Sequence, residues 1–127
     1  MNKEIVSTPN APSAIGPYSQ AVKTGLVVFL SGQIGVDPAT KELGADFAAQ
    51  VRQAFKNLEA VARASGGSLA NVVKVGVFLR DMKDFDVFNR VFREYFKGVQ
   101  PARTTVEAAA PRKGVNVEID AIAFIPR

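Results

Sequence analysis

Arg103 and Glu118 are the two side chains in this sequence best suited to carry chemistry. Both lie between Pro101 and Asp120, on two short β-like runs whose other residues are largely apolar. The chain has no histidine and no cysteine, so acid–base or nucleophilic work falls to carboxylates, arginine, hydroxyls, backbone groups and water. A guanidinium offers a planar fork that fits a carboxylate through two hydrogen bonds, so Arg103 suits a substrate resembling a 2-oxo acid. A glutamate held in a cleft away from bulk water can orient a water molecule and accept its proton. The plainer account joins the two strands as a hairpin and pairs Arg103 with Glu118 as a surface ion pair, worth only ~0–1 kcal/mol.

Other chemistry has weaker support. Asp81, Asp84 and Asp86 have a spacing that a metal could use, but capping and solvated turns account for them better. The stretch from Gly32 to Gly35 lacks the glycine spacing and the lysine of a phosphate loop.

Composition narrows the class. A chain of 127 residues is expected to form one domain, spanning 1–127, with a single core. At 47% hydrophobic and 22% charged it reads as globular. No apolar run reaches the ~18 residues that a bilayer span needs. Met1-Asn2-Lys3-Glu4 lacks the apolar core of a signal peptide, and a chain without cysteine fits a reducing compartment, so a cytoplasmic location is expected. The net charge of +4 is spread from Lys3 to Arg127, and only Arg112-Lys113 are adjacent, which argues against nucleic acid as the main partner.

The elements that would position the pair follow from periodicity. A short strand is expected around Glu4–Ser7, then a loop punctuated by Pro and Gly as far as Gln20. Leu26–Leu30 reads as a buried strand ending at Ser31-Gly32, with a possible small strand in an Ile34–Leu43 hairpin. Asp46 caps a helix to about Ser65, with Phe47, Val51, Ala54, Leu58, Val61 and Ala62 on one face and Gly66-Gly67 as the stop. Val72–Leu79 is a strand, Asp84 caps a second helix to about Phe96, and two strands finish the chain near 102–108 and 115–125. The expected class is α+β, a mixed sheet with two helices on one face. Alternation puts Val115, Val117, Ile119, Ala121 and Ala123 on one side and Glu118 on the other, away from the helices. Phe78 and Val106 would share that uncovered side, which points to a homo-oligomer.

Several stretches together resemble one family. P-A-R-T-T-V-E from Pro101 and G-V-N-V-E-I-D-A-I-A from Gly114 are similar to the signature of the Rid (reactive intermediate deaminase, YjgF-like) proteins. A-I-G-P-Y-S-Q-A from Ala14, F-L-S-G-Q-I-G-V-D-P from Phe29 and the run from Val75 to Asn89 match in the same order. The resemblance implies a chorismate-mutase-like fold, a homotrimer with sites between subunits, and no cofactor. It implies hydrolysis of 2-imino acids, 2-iminopropanoate and 2-iminobutanoate, to 2-oxo acids and ammonia. Arg103 would bind the substrate carboxylate and Glu118 would hold the attacking water. Tyr18, Ser31, Gly32 and Asn89 would line the cleft, some from the neighbouring subunit, and Thr105 would offer its backbone.

Three departures accompany the match. Thr105 stands where many members have cysteine, the Phe96–Pro101 connection is short with Gln100 in place of a common aromatic, and Lys41 replaces a frequent turn glycine. Two other readings stay open from sequence: an RNA-binding, ribonuclease-type translation inhibitor, and a ligand-binding or chaperone-like trimer without turnover.

Overall fold

The computed structural model describes residues 2–110 and 112–126. Six strands form one mixed sheet: β1 (Glu4–Val6), β2 (Ala21–Thr24), β3 (Val27–Ile34), β4 (Val72–Leu79), β5 (Ala102–Glu107) and β6 (Val117–Phe124). Their spatial order is β1-β2-β3-β6-β4-β5. Two helices, α1 (Phe47–Ala64) and α2 (Phe85–Tyr95), cover one face.

Alternation on the strands explains why that face is sealed. Val75, Val77 and Leu79 of β4, Val117, Ile119, Ala121 and Ala123 of β6, and Val28 and Leu30 of β3 all point to the helices and are buried. Helix α1 supplies Val51, Ala54, Phe55, Leu58, Val61 and Ala62, and α2 supplies Phe88, Val91 and Phe92. Phe55 joins the helices, its ring centroid 4.8 Å from Tyr95, 5.8 Å from Phe92 and 6.2 Å from Phe88. Such ring pairs add ~0.5–1.5 kcal/mol each beyond the area they bury.

The ends of α1 behave as their residues dictate. The Asp46 carboxylate accepts the Ala49 N–H at 2.8 Å, satisfying one free donor of the first turn. At the other end Gly66 takes a φ of 99°, while Gly67 N–H donates to Ala62 C=O and Gly66 N–H to Arg63 C=O, each at 3.0 Å. That is the Schellman arrangement, and it needs a residue tolerant of left-handed φ. The second helix starts differently. Asp84 occupies its N-terminal boundary without a capping bond, because a 3-10 turn (Met82–Asp84) precedes it and is capped by Asp81, which accepts from Lys83 N–H at 2.9 Å.

Two buried amides on α1 fasten irregular chain to the core. Asn57 donates to Ile34 C=O (3.0 Å) and Val36 C=O (2.8 Å). Gln50 donates to Gly114 C=O at 3.0 Å and accepts from Asn116 N–H at 2.9 Å. Each bond satisfies a backbone group that burial would otherwise leave unpaired.

Several expectations need correction. Strands β5 and β6 do not form a hairpin: β5 pairs in parallel with β4, from Lys74↔Ala102 to Leu79↔Glu107, and β6 lies on the other side of β4. The α2 crossover makes this possible, since parallel strands need a long connection. Strand β2 had no counterpart in the sequence reading; Ala-Val-Lys-Thr is too short and too polar to show a period. Strand β3 does not stop at Ser31-Gly32 but continues to Ile34 through an irregularity between Leu30 and Gln33. The Ile34–Leu43 hairpin contains only the single bridge Val36↔Leu43. Lys41 adopts a φ of 65°, the left-handed conformation that explains why a glycine suits this turn.

Removing the Asp46 carboxylate isolates the capping term. Asp46→Ala is expected to lower unfolding stability by ~1 kcal/mol, read as a lower denaturant midpoint with an unchanged slope.

Candidate functional site

In the β4–β5 register Arg103 lies opposite Val75, which is fully buried against the helices. Arg103 therefore projects on the helix side of the sheet. Its guanidinium carbon lies 4.9 Å from the ring centroid of Phe92, 5.5 Å from Phe88 and 5.7 Å from Phe85. These rings recur at i, i+3 and i+7 on α2, so they share one stripe of the helix. The cation sits against the negative faces of the rings, an attraction of ~0.5–2 kcal/mol that also shields it from water. Among the described residues no carboxylate pairs with it. Burial, and then the like charge of Arg93, push its pKa below the ordinary arginine value. A half-buried guanidinium without a counter-ion is a seat for an anion.

Two more residues share that seat. Asn89 follows Phe85 by four positions and precedes Phe92 by three, so it lies on the same stripe and is half-buried. Thr105 follows Arg103 on the same face of β5, and its hydroxyl oxygen is buried without a hydrogen-bond partner among the described residues. Strand β5 is also the sheet's edge. Ala108 N–H donates to Leu79 C=O at 2.9 Å, so alternate residues face β4, and the N–H and C=O of Arg103 and Thr105 point to the open edge.

Glu118 lies elsewhere. It is paired with Phe78 of β4 and Ile34 of β3, on the face the helices leave uncovered. A side chain on Gly32 would collide with the Glu118 carboxylate, so the glycine provides the notch in which that carboxylate rests. Gly76 does the same for Asp120. Burial, and then the charge of Asp120, raise the Glu118 pKa above the ordinary glutamate value. Glu118 borders a cavity of about 230 Å³ together with Phe78, Arg80 and Asn116. Ser31, beside Gly32, donates its hydroxyl to Ser19 C=O at 2.5 Å, and its N–H to Gln20 C=O at 2.9 Å. Tyr18 stands next along that loop with its ring half exposed.

The seven candidate residues thus fall into two groups in one chain. Arg103, Thr105 and Asn89 form a cationic, hydrogen-bonding half on the helix side of β5. Glu118, Gly32, Ser31 and Tyr18 form an acidic half on and beside the uncovered face. Strand β4 and the thickness of the sheet separate them, so the surface ion pair considered for Arg103 and Glu118 does not form. The uncovered face is apolar around Glu118: Phe29 is 47% exposed, Phe124 47%, Val106 41% and Phe78 36%. An apolar surface of this kind marks an interaction site.

The aromatic seat of Arg103 was not identified from sequence as part of the site. The available signal was the i, i+3, i+7 recurrence of phenylalanine, but only the crossover places a β5 residue against it.

Comparison with known proteins gives a consistent picture. Residues 8–125 match the family model described as endoribonuclease L-PSP. A RutC family protein of Pyrococcus horikoshii is 48% identical over 96% of this chain and 98% of its own length. A 2-iminobutanoate/2-iminopropanoate deaminase of Dermatophagoides farinae is 47% identical over 97% of each chain. The crystal structure of E. coli TdcF with bound serine superposes with a TM-score of 0.92 at 40% identity, covering 97% of this chain and 99% of that one.

The unpartnered hydroxyl and the raised carboxyl each give a stability test. Thr105→Val keeps the shape and removes a buried group that bonds to nothing, so thermal unfolding should shift upward or stay unchanged; a marked fall would mean the hydroxyl has a partner. Glu118 is protonated more readily in the folded than in the unfolded chain. It therefore favours folding at acidic pH, and that contribution is lost as pH rises through its folded pKa. Glu118→Gln removes the effect, so the variant's denaturant midpoint relative to the parent should rise as pH increases above the ordinary glutamate pKa of about 4.3.

Proposed function

The chain belongs to the Rid (YjgF-like) family, and from that premise we propose that it hydrolyses 2-imino acids, such as 2-iminopropanoate and 2-iminobutanoate, to 2-oxo acids and ammonia. The observation that carries this reading is the half-buried Arg103 guanidinium, seated on three phenylalanine rings with no carboxylate partner among the described residues. A relative at 47% identity bears the name of this activity. A structural neighbour holds serine, which carries the same carboxylate as a 2-imino acid.

The chemistry needs little more than these two halves. Arg103 takes the substrate carboxylate through its fork, and the outward N–H and C=O of Thr105 lie beside it on the sheet edge. Glu118 accepts a proton from a water molecule as that water attacks C2. The tetrahedral intermediate then holds both the hydroxyl and the amine on C2. Glu118 returns that proton to nitrogen, then takes the proton of the C2 hydroxyl and passes it to the amine as the C–N bond breaks, so ammonia leaves and C2 becomes the carbonyl of the 2-oxo acid. A carboxyl with a raised pKa suits this exchange, because it takes up and gives back a proton more evenly than an ordinary glutamate near neutral pH.

Because Arg103 and Glu118 lie on opposite sides of one sheet, the site is complete only where the Arg103 edge of one copy meets the Glu118 face of another. A closed ring of copies does this at every interface, and the homotrimer is our proposed assembly. The exposed Phe29, Phe78 and Phe124 would be buried in it. We place the protein in the cytoplasm, as a soluble enzyme; no helix among the described residues is long and apolar enough to cross a membrane.

Two measurements test the reading. With a dehydratase acting on serine, the protein should speed the appearance of pyruvate, and Arg103→Ala should reduce that acceleration by roughly 10- to 100-fold, the loss of a charge-assisted pair. Undiminished acceleration would dismiss the clamp. Separately purified Arg103→Ala and Glu118→Ala proteins should both be strongly impaired. Unfolding them together and refolding them as a mixture should restore about one quarter of the sites, since each intact site draws its arginine and glutamate from different chains. No recovery would place both residues in one chain's site.

A further inference from the structure

We propose that Gln20 is a positioning residue for the acidic half of the site, holding Tyr18 and the Ser31-Gly32 bulge in register with Glu118. This rests on the deaminase reading for its kinetic test, but the anchoring itself is read from geometry. The segment from Thr8 to Ser19 has no helix or strand to absorb its backbone polar groups. The Gln20 carboxamide, itself buried, absorbs four of them. Its oxygen accepts Thr8 N–H at 2.7 Å, and its nitrogen donates to Thr8 C=O at 3.1 Å, Pro12 C=O at 2.8 Å and Ala11 C=O at 3.3 Å. Ala11 is drawn into the core with it, at 2% exposure.

The main chain of the same residue faces the site. Gln20 C=O accepts Ser31 N–H at 2.9 Å, and the Ser31 hydroxyl donates to Ser19 C=O at 2.5 Å. Ser31 is followed by Gly32, whose Cα abuts the Glu118 carboxylate. One connected set of bonds therefore runs from the loop through Gln20 to Ser31, whose neighbour Gly32 packs against Glu118, and Tyr18 lies within that loop, its own N–H turned back on Gly16 C=O at 2.8 Å. This arrangement also gives Ser31 a defined part: its hydroxyl is spent on the loop, so it acts through position. A carboxamide is required because the cluster presents one donor and three acceptors, and only a group with both functions answers it.

A double-mutant cycle on the full-length protein distinguishes positioning from mere stabilisation. In the coupled dehydratase assay, well below the unfolding temperature, Gln20→Ala should lower kcat about tenfold while KM changes little, since Arg103 is untouched. Combined with Tyr18→Phe, it should cost little beyond the larger single effect, because both act through one unit. Additive losses, or an unchanged kcat per folded protein, would overturn the proposal. Gln20→Glu supplies an independent arm should Gln20→Ala fail to fold. Its carboxylate faces three carbonyl oxygens, whereas its protonated form regains a donor, so its activity relative to the parent should rise as pH falls; a flat ratio counts against the idea. If the parent hydrolyses no imine, the deaminase reading fails alone. Hydrogen exchange at residues 8–19 then decides the anchoring, with faster exchange expected in either Gln20 variant and unchanged protection overturning it.

Discussion

Burial of alternate residues on β4 and β6 against two helices is the interaction from which the remaining geometry follows. Val75, Val77 and Leu79 on one strand and Val117, Ile119 and Ala121 on the other are buried on the helix side. Each buried Val, Leu or Ile side chain contributes ~1.5–3 kcal/mol on leaving water, so neither strand can slip by one residue without exposing its whole buried set. That register locks every intervening residue onto the opposite face. Glu118 and Asp120 are held there for the same reason that Ile119 is buried.

Two helices can seal only one side of six strands, and this economy divides the candidate site. On the sealed side, α2 delivers three phenylalanines to Arg103 at the sheet's edge and leaves its charge unanswered. On the open side, glycines in β3 and β4 make room for two carboxylates among exposed aromatic residues. Each half has what the other lacks, a cation without an anion and a carboxyl whose neutral form is favoured. The perturbed pKa values of both have the same leading cause, partial burial, and that is the environment in which charge and proton affinity can be put to chemical use.

Much of the architecture was legible along the chain because the two periods were clean. The 3.6-residue recurrence in 47–64 and the two-residue alternation in 75–79 and 117–124 survive translation into three dimensions, whereas a register shift between Val72 and Lys74 breaks the alternation at the start of β4 and leaves Val73 exposed. The glycines and Asp46 mark the ends of α1 by local chemistry alone. Strand β2 was not legible, because four residues cannot display a period and its pairing with β3 is what makes it a strand. The Asp84 cap was misread because a 3-10 turn and an α-helix begin with the same residue types. The site residues were recognisable as types through matched motifs, whereas their division into two halves was not.

By itself the sequence determined the chemical inventory: no imidazole or thiol, one arginine and one glutamate in apolar strands, and the side of β6 on which Glu118 must lie. Strand order was decided only by the tertiary structure. Parity along a strand follows from the chain's own geometry, but which strands become neighbours depends on where α2 can bury its phenylalanines, and that places β4 between Arg103 and Glu118. A pair fifteen residues apart in sequence is thereby set on opposite faces, because the burial of distant apolar residues outweighs the weak attraction between two nearby charges.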